Sequence, residues 1–384
     1  MRFVHIADSH LGLAAFNRLD PECGMNLREK QVYDNFLEGI EVIIRQRPEA
    51  LVHAGDLFDR VKPKTRAYTT VLSALERLRE EEIPLVIISG NHSMPKTRYT
   101  TSPFEVLGYH PAEIHAAFRY RYEKAEIGGT VFHLLPNMLH AEDYAEAFNE
   151  ITPDPSSENV LVTHGLVDML SDKRLRTVAE HELDATILSP EFDYIALGHY
   201  HSQQQVTENA WYSGSQEFCN YGEIHDTKGG LIVDTSFRSV KHLDLPHTPM
   251  INLGTIHCSG LQASEVLSKI RGALESLSER ERDAMCVLTL DDIQKETMHT
   301  LPRREIADLK SRVLNLKVRV NTRDEENSTT EATDIRAVDY VSEFSTYLDT
   351  QQIDQKSREF ILKKGQQVLR TVTERHQENK HAAE

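Results

Sequence analysis

Asp8 with His10, Asp56, Asn91, His164, and His199 with His201 share two properties. Each is a residue type that ligates metals, and each stands at the end of a short apolar, β-rich run. Their donors are carboxylate, imidazole and amide oxygen with no thiolate, a set that suits Mn²⁺, Fe²⁺ or Zn²⁺ rather than a soft-metal site. Seven donors exceed what one ion needs, whereas two ions bridged by one carboxylate would use them all. Taken singly the motifs are bland: Asp-x-His after a strand is commonly a turn or helix cap, and Gly-Asp or Gly-Asn-His is ordinary turn chemistry. Five elements in this order carry the signal, three of them beside a glycine (Gly55, Gly90, Gly198) expected to let the backbone turn sharply. The chain's 19 histidines invite the same search for clusters.

The elements that must position these groups are legible in the hydrophobic spacing. Residues 2–7 read as a buried strand that delivers Asp8 at its tip. From Asn26 to Arg47, Val32, Phe36, Ile40, Ile43 and Ile44 recur at helical spacing until Pro48 ends the run. A strand at 50–54 leads into Gly55-Asp56, a helix follows with Tyr68, Val71, Leu72, Leu75 and Leu78 on one face, and a strand at 84–89 leads into Gly90-Asn91-His92. Such alternation predicts a layered α/β sheet whose ligands gather at the carboxyl ends of its strands. Runs at 131–135, 160–163 and 194–197 read as further strands, the last two leading into His164-Gly165 and Gly198-His199. Trp211-Tyr212 and 230–233 are expected to complete a second sheet with antiparallel strands.

Residues 1–248 are expected to form the catalytic domain, and 249–323 a small α/β unit of alternating strands and helices. Asp324 to Asp334 is polar, acidic and aperiodic, so 324–335 reads as a linker. Residues 336–384 read as a helical pair.

A length of 384 residues suggests two or three domains. No apolar run approaches the roughly 20 residues that span a bilayer. The N-terminus is too soon interrupted by Asp8 to be a secretion signal, and the four cysteines form no Cys-x-x-Cys pair. The expectation is a cytoplasmic chain, nucleoid-associated in a prokaryote, with reduced thiols in the protein body. The formal net charge of −17 argues against nucleic acid as a partner, because phosphate binding draws on Lys and Arg. The excess is local, however: residues 1–299 hold 28 basic and 45 acidic side chains, whereas 300–384 hold 15 of each.

Asp8-x-His10, Gly55-Asp56-x-x-Asp59, Gly90-Asn91-His92, His164-Gly165 and Gly198-His199-x-His201, in this order, resemble the calcineurin-like metallophosphoesterase superfamily over about residues 1–240. Within it, the stretches from Phe3 to Gly12 and from Ala54 to Asp59 are similar to the DNA double-strand-break repair nucleases of the SbcD exonuclease type. The resemblance implies a layered two-sheet α/β core, a small α/β capping domain and a C-terminal helical pair. It implies two divalent ions, most often Mn²⁺, the first held by Asp8, His10, Asp56 and His201 and the second by Asp56, Asn91, His164 and His199, with Asp56 bridging. His92, outside the donor set, is the implied catalytic group that protonates the leaving oxygen or stabilises phosphorane charge. One departure stands out. The family usually has an acid after Gly-Asn-His, and here Ser93 cannot supply the charge that would orient His92. Ser93→Asp is therefore expected to leave metal content unchanged and raise activity above pH 7.

Basic residues follow the motifs: Lys62, Lys64 and Arg66, then Lys96 and Arg98, then Arg119 and Arg121 beside Tyr120 and Tyr122. Loops at strand ends face the site, so these residues are candidate phosphate-backbone contacts. In the tail, Tyr340, Phe344, Tyr347 and Leu348 form one apolar stripe and Phe360 and Ile361 belong to a second. The resemblance makes this tail the docking segment for a coiled-coil ATPase and implies a homodimer. The leading expectation is a nuclease, both exo- and endonucleolytic, that acts on double-stranded ends and single strands. The alternatives are a free-standing phosphomonoesterase or cyclic-nucleotide phosphodiesterase, and a scaffold of low activity that regulates the ATPase.

Overall fold

Strand β1 (Arg2–Ile6) is buried along four of its five residues, and its alternate side chains serve two cores. Phe3 points into a layer shared with a second sheet, whereas Val4 and Ile6 point into a layer shared with two helices. Strands covered on both faces read as continuous apolar runs, which is why they are recognisable in the sequence. The computed structural model describes residues 1–95, 97, 99–167, 182–322, 358 and 360–365.

After β1 come α1 (Leu27–Arg45), β2 (Ala50–His53), α2 (Thr65–Glu80), β3 (Leu85–Ile88) and β4 (Ile114–Ala117). The Asn26 side chain caps α1 by accepting from the Glu29 N–H. Next follow β5 (Glu123–Ile127), β6 (Thr130–Leu135), α3 (Ala141–Asn149), β7 (Glu158–His164), β8 (Leu166–Val167), β9 (Glu182–Leu183), β10 (Tyr194–Gly198), β11 (Gln204–Gln205), β12 (Ala210–Tyr212), β13 (Gly230–Asp234) and β14 (Ser239–Leu243). Last come β15 (Met250–His257), α4 (Ala263–Glu275), β16 (Met285–Ile293), α5 (Lys295–Thr300), α6 (Arg303–Lys310) and β17 (Asn315–Thr322).

Two six-stranded sheets pack face to face, ordered β14-β13-β1-β2-β3-β4 and β11-β12-β10-β7-β6-β5. Phe3, Val52, Val86 and Ile88 of the first meet Phe132, Leu134, Val160 and Ala196 of the second. Helices α1 and α2 cover the outer face of the first sheet, and α3 covers that of the second. The expected two-sheet α/β core is therefore present. The pairing of the late strands differs from expectation. β13 joins the first sheet, antiparallel to β1 with Phe3 opposite Val233, and β12 runs parallel to β10. The reason is burial: without β13, the largely buried β1 would be an edge strand.

The parallel sheet β15-β16-β17 has its own core of Val266, Ile270, Leu274, Leu288, Leu290 and Leu309. Phe218 packs against Met285 and Leu314, and Arg18 donates to the Val313 carbonyl at 2.6 Å, so this layer is continuous with the body. Residues 1–323 form one compact unit and 324–384 another. In the second, Arg358 and 360–365 are helical, and Phe360 and Ile361 are exposed. The expected linker and Tyr340, Phe344, Tyr347 and Leu348 lie outside the described residues. No helix among the described residues is long and apolar enough to cross a membrane.

Not every histidine belongs to a site. His5, between the sheets, pairs through Nδ1 with the Tyr194 hydroxyl at 3.0 Å, and His53 pairs through Nε2 with Ser9 Oγ at 2.9 Å. Burial lowers each to about 3 from an ordinary 6.5. Such a group takes up its proton in the unfolded chain first, so stability falls as pH drops from 6.5 towards about 3, by up to about 1.4 kcal/mol per pH unit per histidine. In urea denaturation between pH 7 and 5, His5→Gln should flatten this dependence by about one proton. An unchanged slope would show that His5 is not held neutral.

Candidate metal centre

Four of the expected ligands stand on backbone that L residues rarely adopt: Asp8 at φ 53°, His10 at 43°, Asp56 at 52° and His199 at 92°. Each such conformation costs on the order of 1–3 kcal/mol and persists only where its surroundings impose it. Here the imposition is a ladder continuing beyond β1 and β2, with Asp8 N–H donating to Gly55 O at 3.0 Å, His10 N–H to Asp56 O at 3.0 Å and Leu11 N–H to Leu57 O at 2.9 Å. The glycines act differently from expectation. Gly55 does use positive φ, at 99°, but Gly90 and Gly198 serve close approach. A Cβ on Gly90 would lie 2.3 Å from Asp56 Oδ1, and one on Gly198 would lie 1.9 Å from Ala54 O.

All seven expected donors converge. Asn91 Oδ1 lies 3.0 Å from His164 Nε2 and 3.1 Å from His199 Nδ1. Asp56 Oδ2 lies 3.3 Å from His164 Nε2 and 4.0 Å from His10 Nε2, between the two halves of the cluster. His10 and His201 face each other through their Nε2 atoms at 3.2 Å. Both Asp8 oxygens accept from the His199 N–H, at 3.0 and 3.1 Å, and Asp8, His10 and Asp56 form a group able to hold a cation.

The hydrogen bonds also set which nitrogens are free. His164 donates Nδ1–H to Ala54 O at 2.8 Å, which leaves Nε2 towards two oxygen acceptors. Burial opposes charge on this ring, yet the Asp56 and Asp8 carboxylates outweigh it and raise the ring to about 9. Burial also opposes ionisation of Asp56, but His164 and His10 prevail and hold its carboxyl well below the usual range. Converging lone pairs and buried carboxylates are what a bound cation would satisfy, so the donor set fits a divalent metal.

Three contributors went unrecognised in the sequence. Glu223 Oε1 accepts from His201 Nδ1 at 3.0 Å, the outer carboxylate that orients a ligating histidine. Lys228, fully buried, donates to Glu223 Oε2 at 2.7 Å, and despite burial His201 and Lys228 together hold Glu223 at about 2. Cys219 joins His10 and His201 in a further group with metal-ligating geometry. The loop bearing Cys219 and Glu223 is anchored by a buried ion pair. Arg28 donates to Glu217 Oε2 at 2.8 Å, to Thr248 Oγ1 at 2.7 Å and to Phe218 O at 2.8 Å. None of these contacts leaves a periodic sequence signal.

His92 is exposed, and its backbone N–H donates to Asp56 Oδ1 at 2.9 Å. Its Nδ1 pairs with the Asp59 carbonyl at 3.1 Å, so a backbone oxygen orients the ring where an acid was expected. Ser93 is fully buried, and its Oγ has no hydrogen-bond partner among the described residues. Of the basic candidates, Lys62, Lys64 and Arg66 are exposed, and Lys64 pairs with Glu29. Arg119 lies over the Phe118 ring at 4.7 Å and near Glu105, and Arg121 pairs with Glu123 at 3.4 Å. Arg119 and Arg121 line a groove of about 550 Å³ with Pro95 and Tyr99. Lys96 and Arg98 lie outside the described residues. The burial of Ser93 revises the expected substitution: Ser93→Asp would bury a carboxylate without a partner and should destabilise by about 3 kcal/mol or more, while Ser93→Ala stays within about 0.5 kcal/mol. Denaturation of the two variants decides this, and an aspartate variant as stable as the parent would refute it.

The family model for calcineurin-like phosphoesterases matches residues 1–203, a span that contains all seven donors and His92. Three similar proteins carry the name DNA double-strand break repair protein Mre11. That of Methanococcus maripaludis is 28% identical over 264 residues, covering 64% of this chain and 67% of its own. That of Methanocaldococcus jannaschii is 30% identical over 245 residues, covering 62% and 63%. That of Sulfolobus acidocaldarius is 26% identical over 294 residues, covering 74% and 71%. The matched regions thus span about two thirds of these relatives' length. With the matched span, the two-sheet fold and the His/Asp cluster in agreement, the chain belongs to the calcineurin-like metallophosphoesterases, metal-dependent hydrolases, and is similar within them to the Mre11-type repair proteins.

Proposed function

We propose that the chain is a two-metal DNA nuclease that hydrolyses phosphodiester bonds at double-strand breaks, as the nuclease subunit of a complex with a coiled-coil ATPase. The observation that carries this reading is the placement of Asp56 Oδ2 between His164 at 3.3 Å and His10 at 4.0 Å, as a bridging carboxylate requires. The similarity to proteins named for DNA double-strand break repair supports the substrate class.

In this reading Asp8, His10, Asp56 and His201 hold one divalent cation, and Asp56, Asn91, His164 and His199 hold the other. Mn²⁺ suits the oxygen and imidazole donors of the second position. Bound there, the pair of cations supplies charge that clamps phosphate oxygens and lowers the pKa of a water. His92 is exposed beside the donors with Nδ1–H given to the Asp59 carbonyl, so the imidazolium form would carry at Nε2 the proton passed to the leaving oxygen. Lys62, Lys64, Arg66, Arg119 and Arg121 are the surface cations that would meet a phosphate backbone. Residues 249–323 would act as the capping domain and 336–384 as the ATPase-docking segment, which supplies the affinity that so acidic a catalytic region lacks. The active assembly would be a homodimer of such subunits.

The purified protein with Mn²⁺ is expected to degrade linear duplex and single-stranded DNA. Cleavage of an aryl phosphodiester alone would instead favour a small-molecule phosphodiesterase. His92→Gln should keep its metal content, measured by elemental analysis, and lose about 10²–10⁴-fold in turnover. Full activity in that variant would remove His92 from the chemistry.

A further inference from the structure

Cys219 sits where the sequence offered no thiol ligand. Its Sγ and ring nitrogens of His10 and His201 all lie within 4.8 Å of one another. Besides its hydrogen bond with the His201 ring, the sulfur makes a long contact to Glu217 O at 3.8 Å. One carboxylate positions both neighbours: Glu223 Oε2 accepts from the Cys219 N–H at 2.9 Å, and Oε1 accepts from His201 Nδ1 at 3.0 Å. The adjoining Phe218 carbonyl is pinned by the buried Arg28. Cys219 thus stands on a braced loop, half-buried, against the side of the cluster formed by His10 and His201.

We infer that Cys219 is a ligand of the first metal position, adding a thiolate to the imidazoles of His10 and His201, the Asp8 carboxylate and the bridging Asp56 carboxylate. This rests on the two-metal reading above and deepens it. A thiolate is a poor partner for Mn²⁺ or Mg²⁺ and a good one for Zn²⁺, and mixed nitrogen, oxygen and sulfur donors suit Zn²⁺. Ligation forms a metal–sulfur bond and releases the thiol proton to solvent. The first position therefore selects a thiophilic divalent ion, while the second, made of oxygen and nitrogen donors only, accepts Mn²⁺. The centre is a mixed-metal site.

Cobalt makes the inference visible. The full-length protein, freed of metal by chelation, is titrated with Co²⁺ and followed by absorption. The wild type should show visible d–d bands of bound Co²⁺ together with a sulfur-to-cobalt charge-transfer band in the near ultraviolet. Cys219→Ser should keep the d–d bands, lose the charge-transfer band, and prefer Zn²⁺ over Mn²⁺ at least about tenfold less than the parent. In the wild type alone, saturating Zn²⁺ should protect Cys219 from iodoacetamide, read by peptide mass spectrometry, while the exposed Cys23 stays reactive. Bound Co²⁺ without a charge-transfer band, or Cys219 alkylated at the same rate with and without Zn²⁺, overturns the thiolate ligand and leaves the two-metal reading standing. Failure to bind any Co²⁺ overturns both.

Discussion

The buried carboxylate of Asp56 is the constraint around which this chain is arranged. It is 1% exposed, stands on left-handed backbone, and receives the His92 N–H on one oxygen while His164 and His10 approach the other. An ionised carboxylate in such a place is tolerated only if its charge is answered on every side. Gly90 exists to let Asp56 in, since any side chain there would occupy its oxygen's position. The ladder joining the loops after β1 and β2 holds the strained backbone, and through it Asp8 and His10 are fixed relative to Asp56.

The sandwich gives that carboxylate a dry, rigid platform. Four parallel strands of each sheet end on the same side, so residues far apart in the chain arrive together, and the layer between the sheets excludes water beneath them. Histidine is used in two opposite ways within this frame. His5 and His53 are buried and kept neutral as structural hydrogen-bond partners, whereas the Asp56 and Asp8 carboxylates raise the pKa of His164 to about 9. The same residue type at similar depth thus differs by the charges within reach.

The loop from Ser215 to Glu223 joins the catalytic body to the small parallel sheet. The Arg28–Glu217 pair is almost wholly buried and every partner is satisfied, which makes it a specifier of loop position more than a source of net stability. Tyr221 reaches β17 by donating to Asn315 Oδ1 at 2.6 Å, so the position of the small sheet and that of the metal-side residues are mechanically linked. Acidity in the catalytic region follows partly from this design, since Asp8, Asp56, Glu217 and Glu223 are all committed to buried roles.

Much of this was legible in the sequence because it is local. Strand runs buried on both faces, the helical stripes of α1 and α2, and the order of the ligand motifs depend only on neighbouring residue types and their periodicity. The seven donors and His92 could be named before any fold was known, since each motif announces itself at a strand end. What required tertiary structure depends on approach through space. His10 meets His201, which lies 191 positions further along the chain, and no local pattern encodes that meeting. The same holds for Glu223 and Lys228 behind His201, for Cys219 beside it, and for β13 closing the open edge of β1. Ser93 shows the converse: its place in the motif suggested a partner for His92, but burial and the Asp59 carbonyl gave that task to the backbone. Residue type and spacing determined which groups could do chemistry, and packing decided which of them face one another, because charge and ligation act over a few ångströms of space whatever the distance along the chain.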